Sequence, residues 1–332
     1  MIISKLILVF SLMLVFANAY LSKFYSHQSF RPFISSLTKK YSIWHISEPL
    51  TSVKNDKVKE MKRMKSRGRK DQITFLEGHR MIIDAINVAN LKPEMLFVTD
   101  DAFNAPLGDE LLDICRKNHI MESVTLVAPS IIKACSDTVT PQGVIALFKR
   151  PQTNLIPDKA THVLLLDGMS DPGNLGTLIR TAYSLGFDSV VCVDCADPFS
   201  SKAVRASMGA CLLMPVIDTT WNDNNGYSNT NDDTRDVASL LQSSSLKNSP
   251  IFISQLDETS DGSSSSSAYD AVPLGESCVL VVGGEARGVS DHVWNLPQAT
   301  AIHVPMMRDF ESLNAAVAGG ILMSEVRRQK RL

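Results

Sequence analysis

The chain has 332 residues, a formal net charge of −2, and is 44% hydrophobic and 20% charged. That length suggests roughly two domains of about 150 residues each, and the apolar share excludes an extended disordered chain. A bulk charge this close to zero names no partner class, so its distribution must be read instead.

No Asp or Glu precedes Glu48, whereas Lys5, Lys23, Arg31, Lys39 and Lys40 are basic. Leu6 to Phe16 is apolar apart from Ser11, and Ala17-Asn18-Ala19 follows with small residues where a signal peptidase reads. The run is short for a bilayer span, so a secretory signal is the expectation rather than an anchor. The Ser-rich, basic stretch after it resembles a transit peptide. A signal followed by a transit-like segment suggests a plastid enclosed by extra membranes, with the mitochondrion as the competing address. Residues 1–50 are therefore set aside as a targeting segment. Residues 51–72 follow as a basic linker: between Lys54 and Lys70 nine basic residues face Asp56 and Glu60, a local charge of +7. Such a stretch fits either phosphate contacts or a solvated linker.

From Ile73 the pattern turns globular. Arg80–Asn90 reads as a helix, with Met81, Ile82, Ala85, Ile86 and Val88 on its apolar face. Strands are expected at 95–99 and 124–127, helices at 111–117 and 130–136, and Gln142 to Leu147 closes a small α/β unit over residues 73–150. Pro151 to Lys159 reads as a linker. A second unit, 160–332, opens with Val163-Leu-Leu-Leu-Asp167, a continuous apolar strand of the kind buried in parallel sheets. Helices are expected at 174–185, 201–208, 236–241 and 314–328, and strands at 189–193, 214–216, 251–254, 279–282 and 301–304. Residues 222–235 and 258–268 are low-complexity inserts, expected as flexible surface loops without identifiable chemistry. The six cysteines suggest no disulfide framework, and Cys192 and Cys195 form a lone C-x-x-C with no second pair. Cys192 reads as a buried strand residue, and no metal site is expected.

Three polar, glycine-bearing segments follow strand ends, where α/β folds place ligands. The first, Asp171-Pro-Gly-Asn-Leu-Gly-Thr-Leu-Ile-Arg180, lacks the G-x-G-x-x-G dinucleotide spacing, which counts against a nicotinamide-dependent oxidoreductase. Asn174 sits at a helix start, where it can cap. The second is Gly283-Gly-Glu-Ala-Arg-Gly-Val-Ser290, whose glycines would let a ligand approach backbone amides. The third runs from Val304 through Pro305, Ser312, Leu313 and Asn314 into a helix with a small face, Ala315, Ala318 and Gly319. Ser312 is a candidate cap there, and the small face suggests another backbone packed closely against it.

In this order the three segments resemble the SpoU (TrmH-like) family of RNA ribose 2′-O-methyltransferases, within the SPOUT superfamily. The resemblance covers Thr161 to Arg328, and Lys202-Ala-Val-Arg-Ala-Ser-Met-Gly-Ala210 is similar to a further stretch typical of that family. The preceding unit, with Glu77-Gly78 early and Pro141-Gln-Gly-Val144 late, is similar to the ribosomal-protein-like substrate-binding domain often fused in front. The resemblance implies a parallel sheet whose carboxy-terminal segment threads a deep trefoil knot. It implies S-adenosyl-L-methionine (AdoMet) as cofactor, held by Gly283, Gly284, Val304, Pro305 and Leu313. It implies catalytic roles for Asn174, Arg180, Glu285, Ser312 and Asn314, and a homodimer with residues of both subunits near each site. In that reading Gly284 stands at a variable, often polar family position, and Ala315 where a valine is common. The implied substrate is RNA, with organellar large-subunit rRNA favoured over tRNA; an RNA-binding module of the same fold with a decayed centre is the rival.

Overall fold

The computed structural model describes residues 48–221, 237–242, 244–255, 266–285, 287–307 and 312–330. The expected signal and transit-like stretch, the first insert and most of the second lie outside the described residues.

Helix α1 (Asp56–Arg67) opens the first unit, followed by β1 (Ile73–Glu77), α2 (His79–Asn87) and β2 (Pro93–Val98). Then come α3 (Asp100–Phe103), α4 (Gly108–Lys117), β3 (Val124–Leu126), α5 (Pro129–Cys135) and β4 (Val144–Lys149). Their four strands lie in the order β1-β4-β2-β3, antiparallel except for the β2–β3 pair. The stretch expected as a basic linker is instead a helix, because Val58 and Met61 share one face and are fully buried against the sheet and α5. Its charges occupy the other face, in pairs such as Lys59–Asp56 and Arg63–Glu60. Leu50, assigned to the targeting segment, donates its backbone N–H to Leu126 and so edges the sheet. β1 had no strand signal of its own: all five residues are buried, so alternation is lost.

The second unit runs β5 (His162–Asp167), α6 (Pro172–Leu185), β6 (Ser189–Val193), α7 (Ser201–Ala206), α8 (Ala210–Leu213) and β7 (Val216–Thr219). It continues α9 (Val237–Gln242), β8 (Ile251–Ser254), β9 (Ser267–Ala268), β10 (Cys278–Gly283), α10 (Asp291–Trp294), β11 (Ala299–His303) and α11 (Ala315–Lys330). The strands form one sheet in the order β7-β6-β5-β10-β8-β11-β9, parallel at every pairing. The expected parallel α/β sheet is present. Several boundaries moved: the strand expected at 214–216 runs Val216–Thr219, because Met214 ends α8. The helix expected to reach Met208 ends at Ala206, since Met208 and Gly209 both take positive φ, 52° and 80°. Ser267 and Ala268, counted in the second insert, pair with β11 as its edge partner. Cys192 is buried in β6, and the Cys195 thiol donates to the Leu166 carbonyl at 3.2 Å.

The two sheets meet at a polar seam. Arg150, its side chain 3% exposed, donates to both Asp197 oxygens (2.9 and 2.7 Å) and to the Ile73 carbonyl (3.0 Å). Thr74 adds a bond from its hydroxyl to the Phe199 carbonyl, 3.0 Å. A fork engaged on three acceptors is the geometry in which a buried arginine repays its desolvation. At the outer end Arg69 meets Asp218 at 2.9 Å.

Burial pushes the Asp218 carboxyl up to about 6, overriding the Arg69 guanidinium that would lower it. A carboxyl raised in the folded chain favours folding below its unfolded value and loses that contribution as pH climbs from about 4 through 6. The loss is bounded at roughly 3 kcal/mol. Asp218→Asn, which keeps an acceptor for Arg69 without the charge, is expected to outlast the parent in denaturant at pH 7.5. Most of that advantage should vanish at pH 4.5, as urea titrations at the two pH values would reveal.

Candidate active site

The site lies at the carboxyl ends of β5 and β10, neighbours in register from Cys278↔His162 to Gly283↔Asp167. Beyond that register the two turns press together. A Cβ on Gly283 would come within 2.4 Å of the Gly288 backbone, and one on Gly284 within 2.3 Å of the Gly168 carbonyl. These glycines therefore let backbone pack against backbone at the turn. Glycine is the residue type that fits at 284, a position the family resemblance gave as variable and often polar. Gly168 and Gly288, both at positive φ, have open space where a side chain would point. Asp167, 3% exposed, ties the turns: Oδ1 accepts from the Trp221 indole at 2.9 Å and Oδ2 from the Ser290 amide at 2.7 Å.

Helix α6 is capped by Asp171, whose carboxylate accepts from the Asn174 amide at 3.1 Å; Asn174 is not the cap. The ammonium of Lys202, 2.6 Å away, and those backbone donors hold the Asp171 carboxyl below the usual carboxylate range. Freed from capping, the Asn174 side chain donates through Nδ2 to Glu285 Oε1. At the third segment Asn314, not Ser312, caps α11: its Oδ1 accepts from the amides of Ala316 (3.0 Å) and Val317 (3.3 Å). Its Nδ2 then faces Asn174 Oδ1 at 3.3 Å. The orientation of both amides follows: because helix donors claim the Asn314 oxygen, its nitrogen must point to Asn174, whose own nitrogen must point to the carboxylate. Three residues from the three segments thus form one directed chain, Asn314 to Asn174 to Glu285.

Beside that chain opens a cleft of about 380 Å³, within the usual range for small-molecule sites, lined by Gly283, Gly284, Glu285, Val304, Ser312 and Leu313. Pro305 is adjacent in sequence but does not line it. Arg180 stands apart. It lies six residues beyond Asn174 on α6, about 9 Å along the axis and on another face, is exposed, and does not line the cleft. The small face of α11 also differs from expectation. A Cβ on Gly319 would meet Leu178 Cδ2 of α6 at 2.5 Å, so this glycine admits a side chain of the same subunit. The sequence reading missed Gln255 and Trp294, which line the cleft, and Asp167, which braces it. Asp167 carried a legible signal, an acid ending an apolar strand; Gln255 and Trp294 had none.

Residues 161–324 match the model of the SpoU rRNA Methylase family, and residues 55–146 that of the MRM3-like substrate binding domain. Residues 161–324 belong to the SpoU family. The second match takes in α1, which agrees with that helix being built into the first unit rather than linking to it. The chain is 29% identical to the 23S rRNA (guanosine(2553)-2′-O)-methyltransferase RlmP of Bacillus subtilis, with 84% of this chain and 98% of that protein covered. It is 29% identical to rRNA methyltransferase 3, mitochondrial, of Homo sapiens, over 77% of this chain and 68% of the relative. Against rRNA methyltransferase 3A, mitochondrial, of Danio rerio the identity is 29%, and the match spans 65% of that relative's length. Among solved structures, the AdoMet-bound rRNA methyltransferase of Sinorhizobium meliloti superposes with a TM-score of 0.67 at 23% identity, over 85% of this chain and 97% of that one. The SpoU methyltransferase AviRb of Streptomyces viridochromogenes, in complex with AdoMet, gives 0.67 at 20%, over 83% and 99%. Both likenesses are of fold.

In the SpoU domain the Gly283–Gly284 turn is the stiffest demand on sequence. Gly284→Ala is expected to push β10 away from β5 and to abolish AdoMet binding by calorimetry, while the far seam at Arg150 stays folded. Retention of binding would show that the turn has slack that the 2.3 Å approach denies.

Proposed function

We propose that this chain is an AdoMet-dependent RNA methyltransferase acting on a ribose 2′-hydroxyl, with organellar large-subunit rRNA as substrate. The observation that carries this reading is the directed chain Asn314–Asn174–Glu285 at the rim of a cleft lined by the glycine turn 283–288. The cleft suits AdoMet: Gly288, at positive φ, has open space where a side chain would point, and Val304 and Leu313 offer apolar surface for a flat adenine. The relatives' names support rRNA as the substrate.

Bound AdoMet supplies an electrophilic methyl group on a sulfonium. The residues of the chain prepare the oxygen that receives it. Asn174 and Asn314 fix Glu285 in one rotamer at the rim, and Ser312 offers a hydroxyl from the cleft wall. Arg180 stabilises the alkoxide that develops as the 2′-hydroxyl loses its proton to an RNA phosphate or an ordered water. It does not act as the base, since a guanidinium carries five N–H donors and no acceptor. Acid–base help of this kind contributes about 10²–10⁴-fold, and alignment of the two reactants at least as much.

Arg180 lies on a face of α6 away from its own cleft, which favours a homodimer in which each subunit lends its arginine to the partner's site. A trefoil knot through the carboxy-terminal segment is part of the same reading. It is supported by β10 entering between β5 and β8, and by α11 returning onto α6. The division into a targeting segment, a substrate-binding domain and a methyltransferase domain follows the two sheets, with α1 moved into the second of these. Arg180→Ala is expected to bind AdoMet normally and to lose at least 100-fold in methyl transfer, read by mapping 2′-O-methyl sites in organellar RNA. Near-normal methylation would refute its role.

The address is organellar. The mitochondrial names of the vertebrate relatives weigh towards that organelle, while the signal-then-transit order of residues 1–50 weighs towards a plastid. A carboxy-terminal fluorescent fusion is expected inside one of the two; a cytosolic signal would sink the organellar reading.

A further inference from the structure

A second cleft, of about 240 Å³, opens where the two units meet. Glu77, Arg80, Met81 and Gln142 line it from the first unit, Arg205 and Met208 from the second. None of these residues takes part in the chemistry above. We propose that this cleft is a subsite for one unpaired nucleotide of the RNA substrate, distinct from the nucleotide that is methylated. The proposal rests on the RNA-substrate reading.

The walls are built and fixed. Glu77, 7% exposed, accepts from the Ser136 hydroxyl at 2.8 Å through each oxygen and from the Thr138 hydroxyl at 2.5 Å. Its carboxylate and the Gln142 amide present an acceptor and an adaptable donor–acceptor pair, the functions that read a base edge. Gly78, at φ 99°, lets them approach, since a Cβ there would stand 2.8 Å from Gln142 Oε1. Opposite, Met208 is held at φ 52°, a conformation L residues rarely adopt, and is 51% exposed. Strain of that sort persists where the surroundings impose it, often beside a ligand. Together Met208 and Met81 offer polarisable thioethers to the face of a base.

The charge fits a phosphate. Nη1 of Arg205 is shut off from solvent and has no hydrogen-bond partner among the described residues, the Asp137 Oδ2 carboxylate oxygen being 3.8 Å away. Arg80 is 65% exposed at the mouth and, among the described residues, is paired with its helix neighbour Asp84. A base inserted between the methionines brings its phosphate towards these two guanidinium groups. The placement also connects to the active site. Arg205 sits on α7, which touches α6 at Gly176, where a Cβ would meet the Ala203 carbonyl at 2.4 Å, two residues after Asn174. A nucleotide seated here is thus indexed to the catalytic helix by direct backbone contact, so it sets which neighbouring ribose reaches the cleft.

The test uses the full chain and, as probe, a transcript of the Bacillus subtilis 23S rRNA segment around guanosine 2553, with binding measured without AdoMet over a range of KCl concentrations. Arg205→Gln and Arg80→Gln are each expected to weaken binding about tenfold and to reduce the salt slope by about 0.7–1, one phosphate contact. Met208→Ala should weaken binding several-fold and leave the slope alone, since stacking carries no counterion. AdoMet affinity should hold in all three, and the KM for RNA should rise while kcat at saturating RNA holds. Arg80 is exposed enough that its variant keeps the fold, so unchanged affinity and slope in Arg80→Gln and Arg205→Gln would overturn the subsite. So would a parent protein that does not bind the transcript. A parent that binds it with these slopes yet transfers no methyl group overturns the enzymatic reading and leaves the subsite standing.

Discussion

Everything at the active site depends on how closely two backbones can approach. Parallel strands β5 and β10 end side by side, and both chains must turn away within a residue or two. The Gly284 amide still reaches the Asp167 carbonyl at 2.9 Å, so the ladder continues one step past the strand end. That last rung forces the Gly168 and Gly284 backbones together, and a β-carbon there would break it. From this constraint the rest follows. Glu285 leaves the turn in a fixed direction, Asp167 is placed to hold both the Ser290 amide and the Trp221 indole, and the cleft takes its depth from the tightness of the turn.

The same economy governs the amide chain. A helix cap and a catalytic contact usually compete for one polar side chain. Here each helix assigns the roles to different atoms or residues. Asp171 caps α6, so both polar atoms of Asn174 are available; Asn314 caps α11 with its oxygen alone and keeps its nitrogen for Asn174. Both amides stand at the start of their helices, where the partial positive charge of the helix N-terminus lies. A neutral chain of amides ending on a carboxylate is therefore oriented by the helices that bear it.

How far this was legible in the sequence depends on where the determining forces lie. The strands of the second sheet could be read because burial on both faces leaves continuous apolar runs, as in Val163-Leu-Leu-Leu. The three polar segments could be found because they interrupt those runs with glycine and acid. What escaped were facts of pairing. Nothing local marks Asp171 over Asn174 as cap, or Asn314 over Ser312, since either residue type caps well and the choice is made by Glu285 across the sheet. Helix α1 was hidden by its charge: Val58, Met61 and Met64 are three apolar residues in a stretch with nine bases, and only their packing against the first sheet reveals a face. Gly319 was read as making room for a second backbone because a small residue does not say what fills the space it leaves. The filler is Leu178, a side chain of the same subunit.

Charge then explains how a chain of formal net charge −2 can attract a polyanion. Of the nine bases between Lys54 and Lys70, five sit within 4 Å of a carboxylate: Lys59, Arg63, Lys65, Arg67 and Arg69. Most of these pairs are solvent-exposed and weak, of order 0–1 kcal/mol, and three of the acids, Asp71, Asp137 and Asp218, come from outside the stretch. Lys54, Lys57, Lys62 and Lys70 form no ion pair with any described residue. The stretch therefore keeps a net positive charge with a Debye reach of about 8 Å at physiological salt, enough to orient a nucleic acid on approach but without sequence information. Discrimination must come from groups held at fixed angles with unmet donors. At the seam one such donor is Nη1 of Arg205, so in the proposed reading attraction falls to the first unit and selection to its junction with the second.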